Sequence, residues 1–247
     1  MQIIAIYHSK GGVGKTTTSV NLAYQAAQSG QRTLICDLDP QAASTFYFRV
    51  KPKIKSGVKG FVKGGKQLAQ NIKATDFENL DLLPADFRFR SMDLELAETK
   101  KSKKRLPKIL ADVAEDYDLI ILDCPPNLSN VSENIFNAAD KIVVPLIPTT
   151  LSVRSFEQIL RFFEKKGYKT RKIIAFFSMV EKRKLLHREV MAEMISGYDN
   201  ILPVAIPFRS DVEKMGIYRT PVQLLAPRSP VVKAYRELWK ALQTPAK

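Results

Sequence analysis

Apolar residues recur along the chain in two registers. Short, nearly unbroken runs of strand length occur at Ile3-Ile4-Ala5-Ile6-Tyr7, Thr33-Leu34-Ile35-Cys36, Leu80-Asp81-Leu82-Leu83, Leu119-Ile120-Ile121-Leu122, Ile142-Val143-Val144-Pro145-Leu146, Ile173-Ile174-Ala175-Phe176-Phe177 and 202–206. They lack the alternation of a strand with one wet face, so they predict strands covered on both sides, as in a parallel sheet. Between them, helical spacing of apolar positions predicts helices over 17–29, 92–98, 106–114, 153–165 and 231–242. Gly30 follows the first as a C′ residue. In the last, Val231, Ala234, Tyr235, Leu238, Trp239 and Leu242 share one stripe, the spacing of a core-facing helix. Strands alternating with helices predict an α/β fold: one doubly wound, mainly parallel sheet flanked by helices, spanning 1–247 as a single domain. Ligands of such sheets bind beyond the carboxyl ends of the strands.

The first strand runs into Lys10-Gly11-Gly12-Val13-Gly14-Lys15-Thr16-Thr17, and a helical pattern follows at once. Strand, glycine turn and helix N-terminus together make a phosphate cradle, in which loop N–H groups point inward and the helix dipole adds positive potential. The glycines admit the phosphate oxygens, Lys15 reaches the β- and γ-phosphates, and the Thr16 hydroxyl is placed to ligate Mg²⁺. Two departures from the usual phosphate loop stand out. Ser9 occupies the place of its first glycine, and a second lysine, Lys10, precedes the glycine pair.

Carboxylates end two other strands. Asp123 closes the run 119–122, where an acid can hold Mg²⁺ through one of its waters, because Mg²⁺ gives up hydration reluctantly. Asp37 and Asp39 alternate at the end of another strand, so that one can order the metal's water shell and the other, Asp39, can position an attacking water. No positioned His or Cys nucleophile is evident, and His8 and His187 read as ordinary polar residues. Phosphoryl transfer to water needs none, since it depends on positioning and charge stabilisation.

Composition narrows the class. With 247 residues, 45% hydrophobic and 26% charged, the chain suits a globular domain, and two cysteines, Cys36 and Cys124, offer neither a disulfide framework nor a C-x-x-C metal site. No leader or membrane-length apolar run is visible, so a cytoplasmic location is expected. The formal net charge of +14 favours a polyanionic partner. Eight Lys/Arg and no Asp/Glu fall between Arg49 and Lys73, a stretch with glycines at 57, 60, 64 and 65 that reads as a loop or short helix with a mobile basic surface. A second basic run spans Lys100 to Arg105.

The octet 10–17, Asp37-Leu38-Asp39-Pro40-Gln41 and Leu119-Ile120-Ile121-Leu122-Asp123-Cys124-Pro125-Pro126, in this order, resemble the ParA family of DNA-partitioning ATPases within the ParA/MinD group of deviant Walker A proteins. The similarity extends through Val144-Pro145 and Ile206-Pro207 to Pro227-Arg228-Ser229. The resemblance implies ATP-dependent sandwich dimerisation, DNA binding by the dimer without sequence preference, and Mg²⁺-dependent hydrolysis stimulated by a ParB-like or cargo-adaptor protein, on a nucleoid-associated, cytoplasmic ATPase. It makes Lys10 the lysine that reaches the partner's nucleotide, Lys15 and Thr16 the phosphate and Mg²⁺ contacts, Asp39 the catalytic acid and Asp123 the Walker B acid. Adenine is then expected near Pro207 and Phe208, and DNA at Arg219, Arg228 and Lys233, with the lysine-rich stretch a competing footprint. No helix-turn-helix region is expected ahead of the motor. A MinD-like membrane ATPase is the alternative, and it should end in a membrane-binding amphipathic helix; only 243–247 follow the last helix here. An iron–sulfur relative would need exposed thiolates, and a bacterial tyrosine kinase a tyrosine-rich tail. Plasmid, chromosome origin or protein organelle are all open as cargo.

Overall fold

The computed structural model describes residues 1–55, 57–85, 87–99 and 102–244, with backbone alone at 66 and 67. The start of the basic run at 100 and 101, and the end of the tail at 245–247, lie outside the described residues. In chain order the elements are β1 (Gln2–Ile6), α1 (Lys15–Gln28), β2 (Thr33–Asp37), α2 (Ala43–Tyr47), α3 (Gly57–Lys63), α4 (Lys66–Ala69), β3 (Lys73–Ala74), β4 (Leu80–Leu83), α5 (Met92–Ala97) and α6 (Arg105–Ala111). They continue as β5 (Leu119–Asp123), α7 (Asn130–Ala138), β6 (Lys141–Leu146), α8 (Thr150–Lys166), β7 (Ile173–Val180), α9 (Leu185–Gly197), β8 (Ile201–Pro207), α10 (Ser210–Tyr218), α11 (Val222–Leu225) and α12 (Pro230–Gln243).

The described strands form one eight-stranded sheet in the order β3-β4-β2-β5-β1-β6-β7-β8, parallel at every pairing except the short edge pair β3 and β4. Alternate residues of each strand feed two cores. Ala5, Leu34, Ile120 and Val144 face the layer that holds α3 and α5 to α9, while Ile4, Ile35, Ile121 and Val143 face α1 and α12. This two-sided burial is why the strand runs carry no polar alternation.

Local chemistry sets the helix ends. At the end of α1 the Gly30 N–H bonds the Ala27 carbonyl and the Gln31 N–H the Ala26 carbonyl, a Schellman closure that Gly30 permits at φ 87°. Ser229 caps α12 by accepting the Val231 N–H, with Pro230 in the first turn. The apolar stripe of α12 is buried, as its spacing predicts.

The stretch 49–73 differs from the expected mobile surface. Ile54, Val58, Phe61, Val62 and Leu68 are buried in the core, so α3 and α4 are packed elements, and in α3 Lys59 and Lys63 face solvent. Five helices have no counterpart in the sequence reading, the short α2 and α11 and the longer α7, α9 and α10. In α7 the buried positions include Ser132, Glu133 and Asn134, so its inner face is half polar. Glu133 is neutralised by Lys103 and Lys166, and the Asn134 Oδ1 accepts the Arg105 and Leu106 N–H groups to cap α6. In α9 only His187, Val190 and Met194 are buried, while Leu185, Leu186 and Ile195 are exposed, which blurs the stripe. In α10 only Met215 is buried.

Candidate nucleotide site

The sheet order brings the chemistry together. Strands β2, β5 and β1 are consecutive, with Ile6, Asp123 and Asp37 in register at their carboxyl ends. The phosphate loop leaves β1 beside both acids. It turns through Gly12 at φ 73° and Gly14 at φ 94° into α1, whose N-cap residue, Gly14, offers no side-chain bond to the first-turn N–H groups. Those groups are the donors an anion would meet. A Cβ on Gly14 would lie 2.9 Å from the Ser178 Oγ and 3.3 Å from the Thr17 Oγ1, so sterics as well as dihedral require glycine there. Val13 is buried and anchors the loop, whereas Gly11 and Gly12 are exposed.

Lys15 is buried, and its Nζ donates to the Lys10 carbonyl oxygen at 2.8 Å. Burial lowers its pKa, while the charges of Asp123 and Asp39 oppose that shift. The Lys10 Nζ turns the other way and donates to the Leu151 carbonyl at the start of α8, 3.0 Å away. His8, which looks unremarkable in sequence, is fully buried; its Nδ1 accepts the Lys10 N–H at 2.9 Å, and burial, reinforced by the charges of Lys15 and Lys10, lowers its pKa to about 4. With Nδ1 accepting, the neutral ring carries its proton on Nε2, an atom with no partner among the described residues. His187 is buried too, and its Nδ1 accepts the Glu181 N–H.

Asp123 is buried within a ring of hydroxyls. Ser44 donates to it at 2.6 Å, Ser19 at 3.2 Å, and Thr16 also bonds it. Ser19 and Ser44 escape sequence reading because they come from separate helices, α1 and the first turn of α2. Asp37 is equally buried. Its Oδ2 accepts the Thr45 N–H and hydroxyl at 2.8 and 2.7 Å, capping α2 from a neighbouring strand, since the α2 N-cap residue Ala42 has no side chain able to do so. Burial raises the pKa of both carboxylates, and the charge of Asp123 raises that of Asp37 further. Asp39 is only half-buried; its Oδ1 accepts the Gln41 N–H at 2.9 Å, and its Oδ2 has no partner among the described residues.

The donor set fits a hard cation in company with a polyphosphate. No group of three His, Cys, Asp or Glu among the described residues could hold a metal unaided. Buried carboxylate and hydroxyl oxygens beside a loop of free N–H groups are what Mg²⁺ needs when phosphates and waters supply the remaining ligands. A cavity of about 110 Å³ adjoins the loop, lined by Thr17, Ser178, Met179, Pro207, Phe208 and Tyr235 among others. Met179 sits at φ 53° in a register irregularity between β7 and β8, which shapes this wall. Pro207 and Phe208 thus line a cavity that adjoins the phosphate loop at Thr17. A larger cavity of about 570 Å³, bordered by Arg32, Phe77 and Tyr117, opens at the opposite strand ends, away from this chemistry.

The three basic residues singled out for DNA separate in the structure. Arg228 is exposed, and Lys233 is exposed with Glu237 3.9 Å away. Arg219 is anchored on Phe46: its Nε donates to the Phe46 carbonyl at 2.8 Å and its guanidinium carbon lies 4.5 Å above the Phe46 ring. Both cysteines are buried, which removes the exposed thiolates an iron–sulfur site would need.

Residues 1–176 match the family described as an AAA domain. The chain is 33% identical over 245 residues to the sporulation initiation inhibitor protein Soj of Bacillus subtilis, covering 97% of each protein. It is 27% identical to the chromosome partitioning protein ParA of Caulobacter vibrioides, over 96% of this chain and 92% of that one. Among solved structures, cobyrinic acid a,c-diamide synthase from Mycobacterium smegmatis, crystallised with an ATP analogue and magnesium, superposes with a TM-score of 0.82 at 28% identity, over 98% of this chain and 94% of the other. Sequence, sheet order and site agree, and the chain belongs to the ParA family of ATPases.

Proposed function

We propose that this chain binds ATP with Mg²⁺, dimerises on the bound nucleotide, holds DNA without sequence preference as a dimer, and is released when a cargo-bearing partner stimulates hydrolysis. The names of its relatives, one a chromosome partitioning protein, and the ATP analogue and magnesium in its structural neighbour support the reading. In this scheme Lys15 leaves the Lys10 carbonyl for the β- and γ-phosphates, the α1 N–H groups cradle them, and Thr16 with Asp123 orders the cation's side of the site. Bound there, Mg²⁺ would neutralise charge developing on the phosphate oxygens. Asp39, half-exposed and with one free carboxylate oxygen, orients the attacking water. Asp37 acts indirectly, by fixing the helix that carries Ser44 to Asp123. On the nucleoid, Arg228 and Lys233 meet duplex phosphates.

The observation that carries dimerisation is Lys10. Its ammonium is held outside its own phosphate cradle, on the Leu151 carbonyl, at a surface where Leu151 is 63% exposed. Two triphosphates enclosed between protomers need additional cationic compensation. Size-exclusion chromatography with a non-hydrolysable ATP analogue is the test: the wild type should dimerise, and Lys10→Ala should stay monomeric while still binding ADP. A dimer that persists unchanged in Lys10→Ala would remove the assignment.

The membrane-bound alternative finds less support. Among the described residues no helix is long and apolar enough to cross a membrane, and α12 spends its apolar stripe on α1 and β8 rather than offering it to lipid.

A further inference from the structure

The lysine-rich stretch has no part in the nucleotide site, yet it holds an unusual density of unneutralised charge. Lys51, Lys53, Lys55, Lys59 and Lys63 are exposed, and none makes a salt bridge with a described carboxylate. The backbone that presents them is fixed. The Lys55 N–H donates to the Oδ1 of buried Asn71 at 2.8 Å, Arg88 donates to the Ile54 carbonyl at 2.7 Å, and α3 is seated by Val58, Phe61 and Val62. Folding also joins this segment to a second basic one some forty residues on in sequence. The Arg105 guanidinium donates to the Val62 and Lys63 carbonyls, which brings exposed Lys104 and Lys108 of the α6 region beside α3.

Position decides what this ridge can do. Its helix packs into the core on one face of the sheet, whereas α12, with Lys233, packs into the core on the other. The ridge is therefore not an extension of the Arg228 and Lys233 footprint. Chemistry narrows the partner. A lipid-binding amphipathic segment must offer its apolar face to the bilayer, but here Ile54, Val58, Phe61 and Val62 are all at most 6% exposed. Among the described residues of 51–63 no Val, Ile, Leu or aromatic side chain is exposed, so the ridge itself lacks the large anchors that dominate protein interfaces, although exposed Phe87 and Leu94 flank it on the α5 side. Glu95 and Glu98 share a cavity with Lys59 and Lys63 and bound the ridge on its α5 side. Ordered, closely spaced cations without apolar anchors fit a phosphate backbone.

We propose that Lys53, Lys55, Lys59, Lys63, Lys104 and Lys108 form a second duplex-binding surface, on the opposite face of the sheet from Arg228 and Lys233, so that one molecule can hold two DNA segments. The surface does not depend on the nucleotide switch.

The test uses the full chain, wild type and two variants: Lys53→Gln with Lys55→Gln and Lys59→Gln, and Arg228→Glu with Lys233→Glu. Circular dichroism and basal ATP hydrolysis, which should be unchanged in the lysine variant, report folding. Fluorescence anisotropy of a labelled duplex across salt concentrations, without nucleotide and with an ATP analogue, gives the slope of log K against log salt. Losing three phosphate contacts should reduce that slope by about 2.7, roughly a 40-fold difference in salt sensitivity between about 50 and about 200 mM. The reduction should appear in both nucleotide states and also when both sets of substitutions are combined. Capture of a free labelled duplex by a bead-bound one should disappear in the lysine variant. A slope and capture that respond only to the Arg228 and Lys233 substitutions would overturn the second surface and leave the proposed function standing. A response to the lysine variant alone would keep the surface and remove the C-terminal footprint. Binding to phosphatidylserine–phosphatidylcholine vesicles that the lysine variant loses, with duplex binding intact, would make the ridge a membrane contact and overturn the proposal.

Discussion

Acid should weaken the fold through His8, by an amount its burial sets. The ring is fully buried at the end of β1, and its pKa is lowered from 6.5 to about 4, chiefly by burial and then by Lys15 and Lys10. A base with a lower pKa folded than unfolded leaves the unfolded chain binding more protons between the two values, so stability is complete above the unfolded value and is lost as pH falls towards the folded one. The two values correspond to a loss of about 2 kcal/mol at pH 5 and about 3 kcal/mol at pH 4. Protonation would also remove the acceptor for the Lys10 N–H, so the phosphate loop should loosen with it. Urea unfolding of the nucleotide-free wild type and of His8→Asn, at about pH 7.5 and about pH 5, isolates the effect, because every other titrating group is common to both. Asn keeps an oxygen for the Lys10 N–H and has no proton to gain. With an m-value of about 3 kcal/mol/M, the wild-type midpoint should fall about 0.7 M further than that of the variant. Midpoints that fall in parallel would show that His8 is not the group whose protonation folding resists.

Asp39→Ala should still bind ATP and accumulate as the ATP dimer, with hydrolysis slowed by roughly 10²–10⁴-fold; wild-type phosphate release in that variant would move water positioning to another carboxylate. Gly14→Ala places a Cβ 2.9 Å from the Ser178 Oγ at φ 94° and should cost about 1–3 kcal/mol in local strain, seen as a lowered melting temperature and weakened binding of a fluorescent ADP analogue. Undiminished affinity would mean that the loop tolerates another path. Arg219→Ala should lower stability by about 1 kcal/mol through loss of its contact with Phe46, leaving the salt dependence of duplex binding unchanged; a reduced salt slope would return Arg219 to the DNA surface.

Much of this protein is written locally. The buried strands announced themselves through unbroken apolar runs, because a strand covered on both faces must be apolar at every position. The phosphate loop was equally legible, since glycine dihedrals, a lysine and a hydroxyl at a helix start are properties of eight consecutive residues. The stripe of α12 and the closing glycine of α1 are of the same kind. The longer helices that periodicity does not mark, α7, α9 and α10, bury polar residues or very few residues at all, so no stripe runs along them. Their stability comes from partners distant in sequence, such as Glu133 with Lys103 and Lys166.

The alternation of strands and helices, the phosphate loop and the acids that end β2 and β5 each depend on residues a few positions apart, and so are legible along the chain. Folding alone places β5 between β1 and β2, which puts Asp123 among Thr16, Ser19 and Ser44 and turns Asp37 to capping α2. It also anchors Arg219 on Phe46, buries His8 beneath the loop, and brings two basic segments together on the face opposite α12. Strand order and sheet face are fixed by contacts between residues tens of positions apart, and neither propensity nor periodicity, which act within a single element, can encode them.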